Sequence, residues 1–333
     1  MQGRKWVAIV IVAITTVAAG ILMFFSSPKA YATGPGAEYF TNTPLVTQDG
    51  KTVRFFDDLI KGKSVVINFI YTECGDSCPL ETAKLAQVQR LLNGRVGKDI
   101  FFYSISIDPE HDTPQTLKAY AKKFHAGPGW YFLTGKKENI ELIRRKLGQG
   151  ATEGQNQLTD HAASFIIGDE PSGQWMRDTS LDDSNYIATM VTDWLSSWKK
   201  HKPGESYMQA TRADAPNTDQ GAYLFKSRCS ACHTVGGGDS IGPDLRGVTT
   251  VREKDWLSRF IQAPNKMLAA KDPIATALFK KYNRVSMPNL RLSPVDADAL
   301  IKYIKTASSA NEAELTPSAN RDAAANSGAT RNR

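Results

Sequence analysis

The sequence predicts an α/β sheet domain followed by an all-α domain, both carried behind an N-terminal apolar helix. Three observations lead there. Residues Trp6 to Phe25 are uncharged and mostly apolar. From Pro44 to Trp198 short apolar strands alternate with helical stretches, and from Gln220 onward the texture changes to short helices and Gly-rich loops without strand signals. At 333 residues, with 41% hydrophobic and 23% charged residues, the chain can bury a core in each of two modest domains.

The apolar run follows Arg4 and Lys5 and is long enough for a helix across a bilayer core of about 30 Å. Basic residues before the segment stay in the cytoplasm, so everything after it is expected outside. The reading is a single-pass helix in the cytoplasmic (inner) membrane, with the soluble domains on the extracytoplasmic or periplasmic side. The competing reading is a signal peptide cleaved at Ala30-Tyr31-Ala32, although the run exceeds a usual apolar signal region of roughly 7–15 residues. Residues 1–38 are thus anchor (or signal peptide) and tether.

In the α/β region, residues 39–200, Pro44 to Phe56 reads as two short strands around Asp49-Gly50. Val65 to Ile70 is a continuous apolar run, as in a strand buried on both faces. Helix is expected from Pro79 to Leu92, strand from Ile100 to Ile107, and a Thr113-Pro114-capped helix to about Phe124. Trp130–Leu133, a helix near Lys137–Lys146, strand Phe165–Ile167 and a helix near Ser184–Trp198 complete a sheet covered on both faces. Residues 201–218 form a polar linker. In residues 219–307 helices are expected at Gln220–Arg228, Glu253–Gln262 and Pro294–Lys305. Residues 308–333, rich in Ala, Ser, Asn and Arg, are expected to be a disordered tail.

Four cysteines fall in two local pairs, Cys74 with Cys78 and Cys229 with Cys232. A disulfide scaffold would scatter them, so two chemical sites are expected. Cys229-Ser230-Ala231-Cys232-His233 has the C-x-x-C-H form that binds haem c through two thioethers, with the following histidine as axial ligand. Gly221 and Phe225 precede it, Gly242-Pro243-Asp244-Leu245 follows, and Met287-Pro288-Asn289-Leu290 lies before the last helix. With these motifs in order, Asp219 to Lys305 resembles a class I cytochrome c. The resemblance implies His233 and Met287 as axial iron ligands and the Pro243 carbonyl as the group orienting His233. Met267 competes with Met287, but it sits in an apparently apolar helical turn, where methionine is usually core. Two filled axial positions mean an electron carrier rather than an oxygen activator. This region holds 14 Lys/Arg against 8 Asp/Glu, which suits an acidic docking surface or is simply a solvated face.

The other pair lies in Tyr71-Thr72-Glu73-Cys74-Gly75-Asp76-Ser77-Cys78-Pro79, where a buried strand ends and a helix opens. The helix N-terminus is expected to favour the Cys78 thiolate. Thioredoxin-type enzymes place a cysteine pair at this junction with two intervening residues. The three found here widen the bite, which suits a metal as well as a disulfide. Ser106-Ile107-Asp108-Pro109, Asp112-Thr113-Pro114 and Asp160-His161 follow. Together these motifs resemble the Sco/SenC family of copper chaperones, over about Tyr39 to Trp198. The resemblance implies a thioredoxin-like fold, a copper ion bound by Cys74, Cys78 and His161, and a role in building the copper centre of cytochrome c oxidase. The oxidase subunit carrying that centre and other redox proteins are the implied partners. Two thiolates suit Cu(I) and the imidazole admits Cu(II), whereas structural zinc usually takes four ligands. His111, His125 and His201 read as surface residues.

Copper binding and delivery, with a haem domain for electron transfer, is the leading expectation. A thiol–disulfide reductase using Cys74 and Cys78 is the alternative, and His161 discriminates, because a dithiol enzyme does not need it. A plain electron carrier leaves Cys74, Cys78 and His161 unexplained, and a peroxiredoxin-like peroxidase does not fit the C-x-x-x-C-P loop. The net charge of +7, without a basic run interleaved with aromatics, points away from nucleic acid.

Overall fold

The computed structural model describes residues 39–75, 77–149, 164–180, 182–194 and 219–315. The expected membrane helix, the linker and His161 fall outside them. Among the described residues no helix is long and apolar enough to cross a membrane.

The first domain is built on a seven-stranded sheet. Strands β1 (Pro44–Thr47) and β2 (Thr52–Arg54) form the hairpin expected around Gly50, which takes the left-handed φ of 80° that the turn requires. A wide helical turn, α1 (Phe55–Ile60), leads to β3 (Ser64–Ile70). Then come α2 (Ser77–Leu91), β4 (Ile100–Ser106), α3 (Pro114–Lys123), β5 (Trp130–Thr134) and α4 (Lys137–Lys146). The domain closes with β6 (Ser164–Asp169), β7 (Gln174–Thr179) and α5 (Ser184–Thr189, continued by a wider turn at Met190–Trp194). The strand order is β2-β1-β5-β4-β3-β6-β7, so β3 is an interior strand beside the middle one, and its C-terminal end delivers the Cys74 loop. Strands β3, β4 and β5 run parallel, and antiparallel hairpins flank them on both sides.

The apolar run of β3 is buried on both faces, as expected. Val66 and Ile70 join the cluster beneath α2, α3 and α5, while Val65, Ile67 and Phe69 join the one that includes Leu59, Ile60, Ile140 and Ile143. Strand β7 went unrecognised in the sequence because Gln-Trp-Met-Arg-Asp-Thr is a half-exposed edge strand without an apolar run. It pairs with β6 across a turn in which Gly173 has φ 72°.

The second domain is helical, as expected: α6 (Gln220–Leu224, continued at Phe225–Cys229), α7 (Val248–Val251), α8 (Lys254–Gln262), α9 (Pro264–Ala269), α10 (Pro273–Lys281) and α11 (Pro294–Leu315). Helix α9 contains the apolar helical turn expected around Met267, and α10 is a further helix that the local pattern did not mark. Each begins at a proline, and Asp272 caps α10 by accepting from Ala275 N. Helix α11 corrects the disordered tail expected from residue 308, since it continues to Leu315. Ser308 is buried, accepts from Gly247 N and donates to Ile304 O, so tertiary contact carries the helix on through a stretch with little to bury.

Candidate functional site

The first site begins where β3 ends. Cys74 lies in the loop, Cys78 in the first turn of α2, and both are buried and not joined in a disulfide. Asp112 fixes the loop from the neighbouring segment. Its carboxylate accepts from Thr72 N at 3.2 Å, Thr72 Oγ1 at 2.5 Å and Ser106 Oγ at 2.6 Å. The motif around Asp112 therefore ties the end of β4 to the cysteine loop. Thr113 caps α3 through its hydroxyl, which receives Thr116 N.

The thiolate expected at Cys78 is not favoured. Its hydrogen bond with Cys74 pushes the thiol pKa up, burial and the nearby Glu81 carboxyl add to this, and the Tyr71 backbone opposes it weakly. The helix N-terminus is outweighed because the sulfur has left water and shares its proton with a second sulfur. With Cys74 beside it, the protonated Cys78 thiol must release its proton to bind a metal.

Beneath them lies a buried polar network. Glu81 is fully buried, and its Oε2 accepts from Asn68 Nδ2 at 3.4 Å. Asn68 Oδ1 accepts from Ser104 Oγ at 2.7 Å, and Ser104 Oγ accepts from Trp130 Nε1 at 2.9 Å. Burial raises the Glu81 carboxyl to about 8, against smaller lowering by the Asn68 and Ser77 hydrogen bonds. Asn68 as the one polar residue in Val65–Ile70, and Glu81 one helical turn after Cys78, were the available signals.

Among the described residues no third His, Cys, Asp or Glu joins the pair to form a three-ligand cluster. Of the histidines set aside as surface residues, His111 and His125 are exposed, with His111 Nδ1 2.9 Å from Asp108 Oδ1, and His201 lies outside the described residues.

The second site is a cavity of about 390 Å³ in the helical domain, lined among others by Cys229, Cys232, His233 and Met287. The four residues singled out in the sequence thus face one space. Met267 is instead buried in the apolar cluster of that domain. His233 Nδ1 donates to the Pro243 carbonyl at 2.9 Å, which leaves Nε2 with a free lone pair when the ring is neutral. Burial lowers the His233 pKa, with Pro243 opposing, so the neutral ring is favoured. Gly242 lies against this ring, where a Cβ would stand 2.6 Å from His233 Cε1. Burial pushes Cys229 and Cys232 up to about 12. Two thiols, an oriented imidazole and a thioether on one apolar cavity fit a covalently held haem.

The chain matches the SCO1/SenC family model over residues 35–196 and the cytochrome c model over residues 218–308. It is 30% identical to an SCO2-like protein of Rickettsia typhi over 198 residues, 55% of this chain and 95% of the relative. A SCO1 protein homolog of Bacillus subtilis is 32% identical over 155 residues, 45% of this chain and 78% of the relative. The crystal structure of Arabidopsis thaliana ScoI with copper bound is similar at 28% identity with a TM-score of 0.39, covering 47% of this chain and 96% of that one. With its buried cysteine pair at the end of an interior strand and its second, helical domain, the chain belongs to the SCO1/SenC family and carries a cytochrome c domain at its C-terminus.

Proposed function

We propose that this protein binds one copper ion through Cys74, Cys78 and His161 and delivers it during assembly of the copper centre of cytochrome c oxidase. It does so on the extracytoplasmic side of the inner membrane, tethered by Trp6–Phe25. The observation that carries the reading is the pair of buried, mutually hydrogen-bonded thiols at the β3–α2 junction. Two soft sulfurs suit Cu(I), and an imidazole as third donor extends the site to Cu(II) while leaving a position for a recipient's ligand. Because the Cys78 thiol is held protonated, copper uptake releases its proton, and apparent affinity climbs with pH.

The cytochrome domain holds haem c through Cys229 and Cys232, with His233 and Met287 as the axial pair. Held by these four residues, haem would supply one-electron exchange. Pro243 orients His233, and Met287 approaches from a loop pinned by Pro288.

Copper titration of the reduced chain tests the proposal. About one copper per chain is expected, and His161→Ala weakens Cu(II) binding more than Cu(I), because two thiolates alone retain Cu(I). A His161→Ala protein that binds both states like wild type removes His161 from the ligand set. For the haem, acid–acetone extraction leaves the colour on the protein, and His233→Ala abolishes the low-spin spectrum. Haem that extracts freely overturns the attachment.

A further inference from the structure

Helix α2 is buried on more sides than a helix covering one face of a sheet should be. Beyond its inward residues, Leu80 is 2% exposed and Lys84 is 1% exposed. The loop before α5 covers Lys84, whose ammonium donates to the Asp182 carbonyl. Leu80 has a different neighbour: it lines the cavity that holds Cys229, Cys232, His233 and Met287, although it belongs to the other domain.

The surrounding contacts agree. Ala231, between the two cysteines of the C-x-x-C-H segment, and Ile241 are buried in the same apolar cluster as Cys74 and Cys78, with Cys232 and Val285 packed against it. At the edge, Lys226 Nζ reaches Asp183 Oδ2 at 3.5 Å. The surface is thus an apolar patch from the 229–233 segment seated on α2, with one ion pair beside it.

We infer that the Sco-like domain is the docking partner of its own cytochrome domain, and that Leu80 forms a wall of the haem cavity. The inference rests on reading residues 229–233 as the haem-attachment segment. Leu80 lies two residues after Cys78, so the same turn of α2 carries a sulfur of the copper site and a wall of the haem site. The linker expected at residues 201–218 joins the two domains in one chain, which sets an effective concentration on the order of millimolar and populates even a weak interface. By linkage, whatever alters the docked population at one site alters the properties of the other.

The experiment uses the full, haem-loaded chain, with covalent haem verified first by its pyridine haemochrome. A chain without covalent haem fails the haem reading and not the docking. In Leu80→Asp a carboxylate in the cavity wall favours ferric iron, so the haem midpoint potential falls relative to wild type. If Leu80→Asp does not accumulate, Leu80→Ala admits water to the same wall and shifts the potential in the same direction. In parallel, a zero-length carbodiimide cross-link joins Lys226 to Asp183 within one chain and is lost in Lys226→Gln. A downward shift together with the intrachain cross-link supports the inference. An unchanged potential, or a cross-link that is absent or formed only between chains, overturns it.

Discussion

Glu81 is the residue at which burial and chemistry conflict most sharply. Its carboxyl titrates at about 8 in the folded chain, whereas an unfolded glutamate titrates near 4.3. Between these limits the folded state binds the extra proton, so the contribution to stability is intact at the acid end and lost as pH rises toward 8. The loss is on the order of a few kcal/mol. Glu81→Gln keeps the shape and the Asn68 contact but cannot ionise. In urea titrations of metal-free protein, it should unfold at higher denaturant than wild type near pH 9 and lose part of the pH slope. An unaltered slope would mean that Glu81 is ionised in the fold. The Cys78 thiol shows the same physics: a helix N-terminus stabilises an anion only while other terms do not outweigh it, and here a shared proton and a dry pocket do.

At the scale of elements, the close crossing of α6 and α11 holds the helical domain together. A Cβ at Gly221 would stand 2.2 Å from the Ala299 carbonyl oxygen, and Phe225 packs its ring 5.2 Å from that of Tyr303 one turn further along. Gly221→Ala therefore forces the helices apart and should cost about 1–3 kcal/mol, as overpacking typically does. The expected result is a lower thermal midpoint for the haem domain, with the copper affinity of the first domain unchanged. A midpoint equal to wild type would mean that the crossing relaxes freely. The glycine spacing ahead of the C-x-x-C-H segment was legible in the sequence, but its cause was not, because the residue that excludes a side chain lies 78 positions away, on α11. The same holds for β7 and α11. An edge strand without an apolar run and a helix extension anchored by Ser308 depend on partners that no local pattern reveals.

For the whole molecule, the relation between its two redox sites follows from magnitudes. Dithiol couples of thioredoxin-like proteins lie at about −120 to −270 mV, and methionine–histidine ligation raises a haem's potential. A gap on the order of 300 mV corresponds to ~14 kcal/mol for a two-electron couple. Electrons should run from the Cys74/Cys78 dithiol to haem, one to each of the haems of two chains, and ferrous protein should not open the disulfide. Anaerobic mixing of ferrous, metal-free, disulfide-bonded protein is expected to yield no free thiols. Thiols appearing in step with haem oxidation would reverse the order of potentials. Under the proposed function, the cytochrome domain would then not supply reducing power to the thiols.

The sequence by itself determined the two domains and the identity of both cysteine pairs. It also determined the buried character of Val65–Ile70 and the order of motifs around His233 and Met287, because strand and helix periodicity and ligand chemistry are written in local spacing. The tertiary structure alone decided the mixed direction of the sheet and the protonated state of Cys78. It likewise decided the burial of Asn68 and Glu81 and the seating of Leu80 in a cavity of the other domain. Each of these depends on desolvation or on contact between residues distant in the chain, and a pattern of neighbours carries neither.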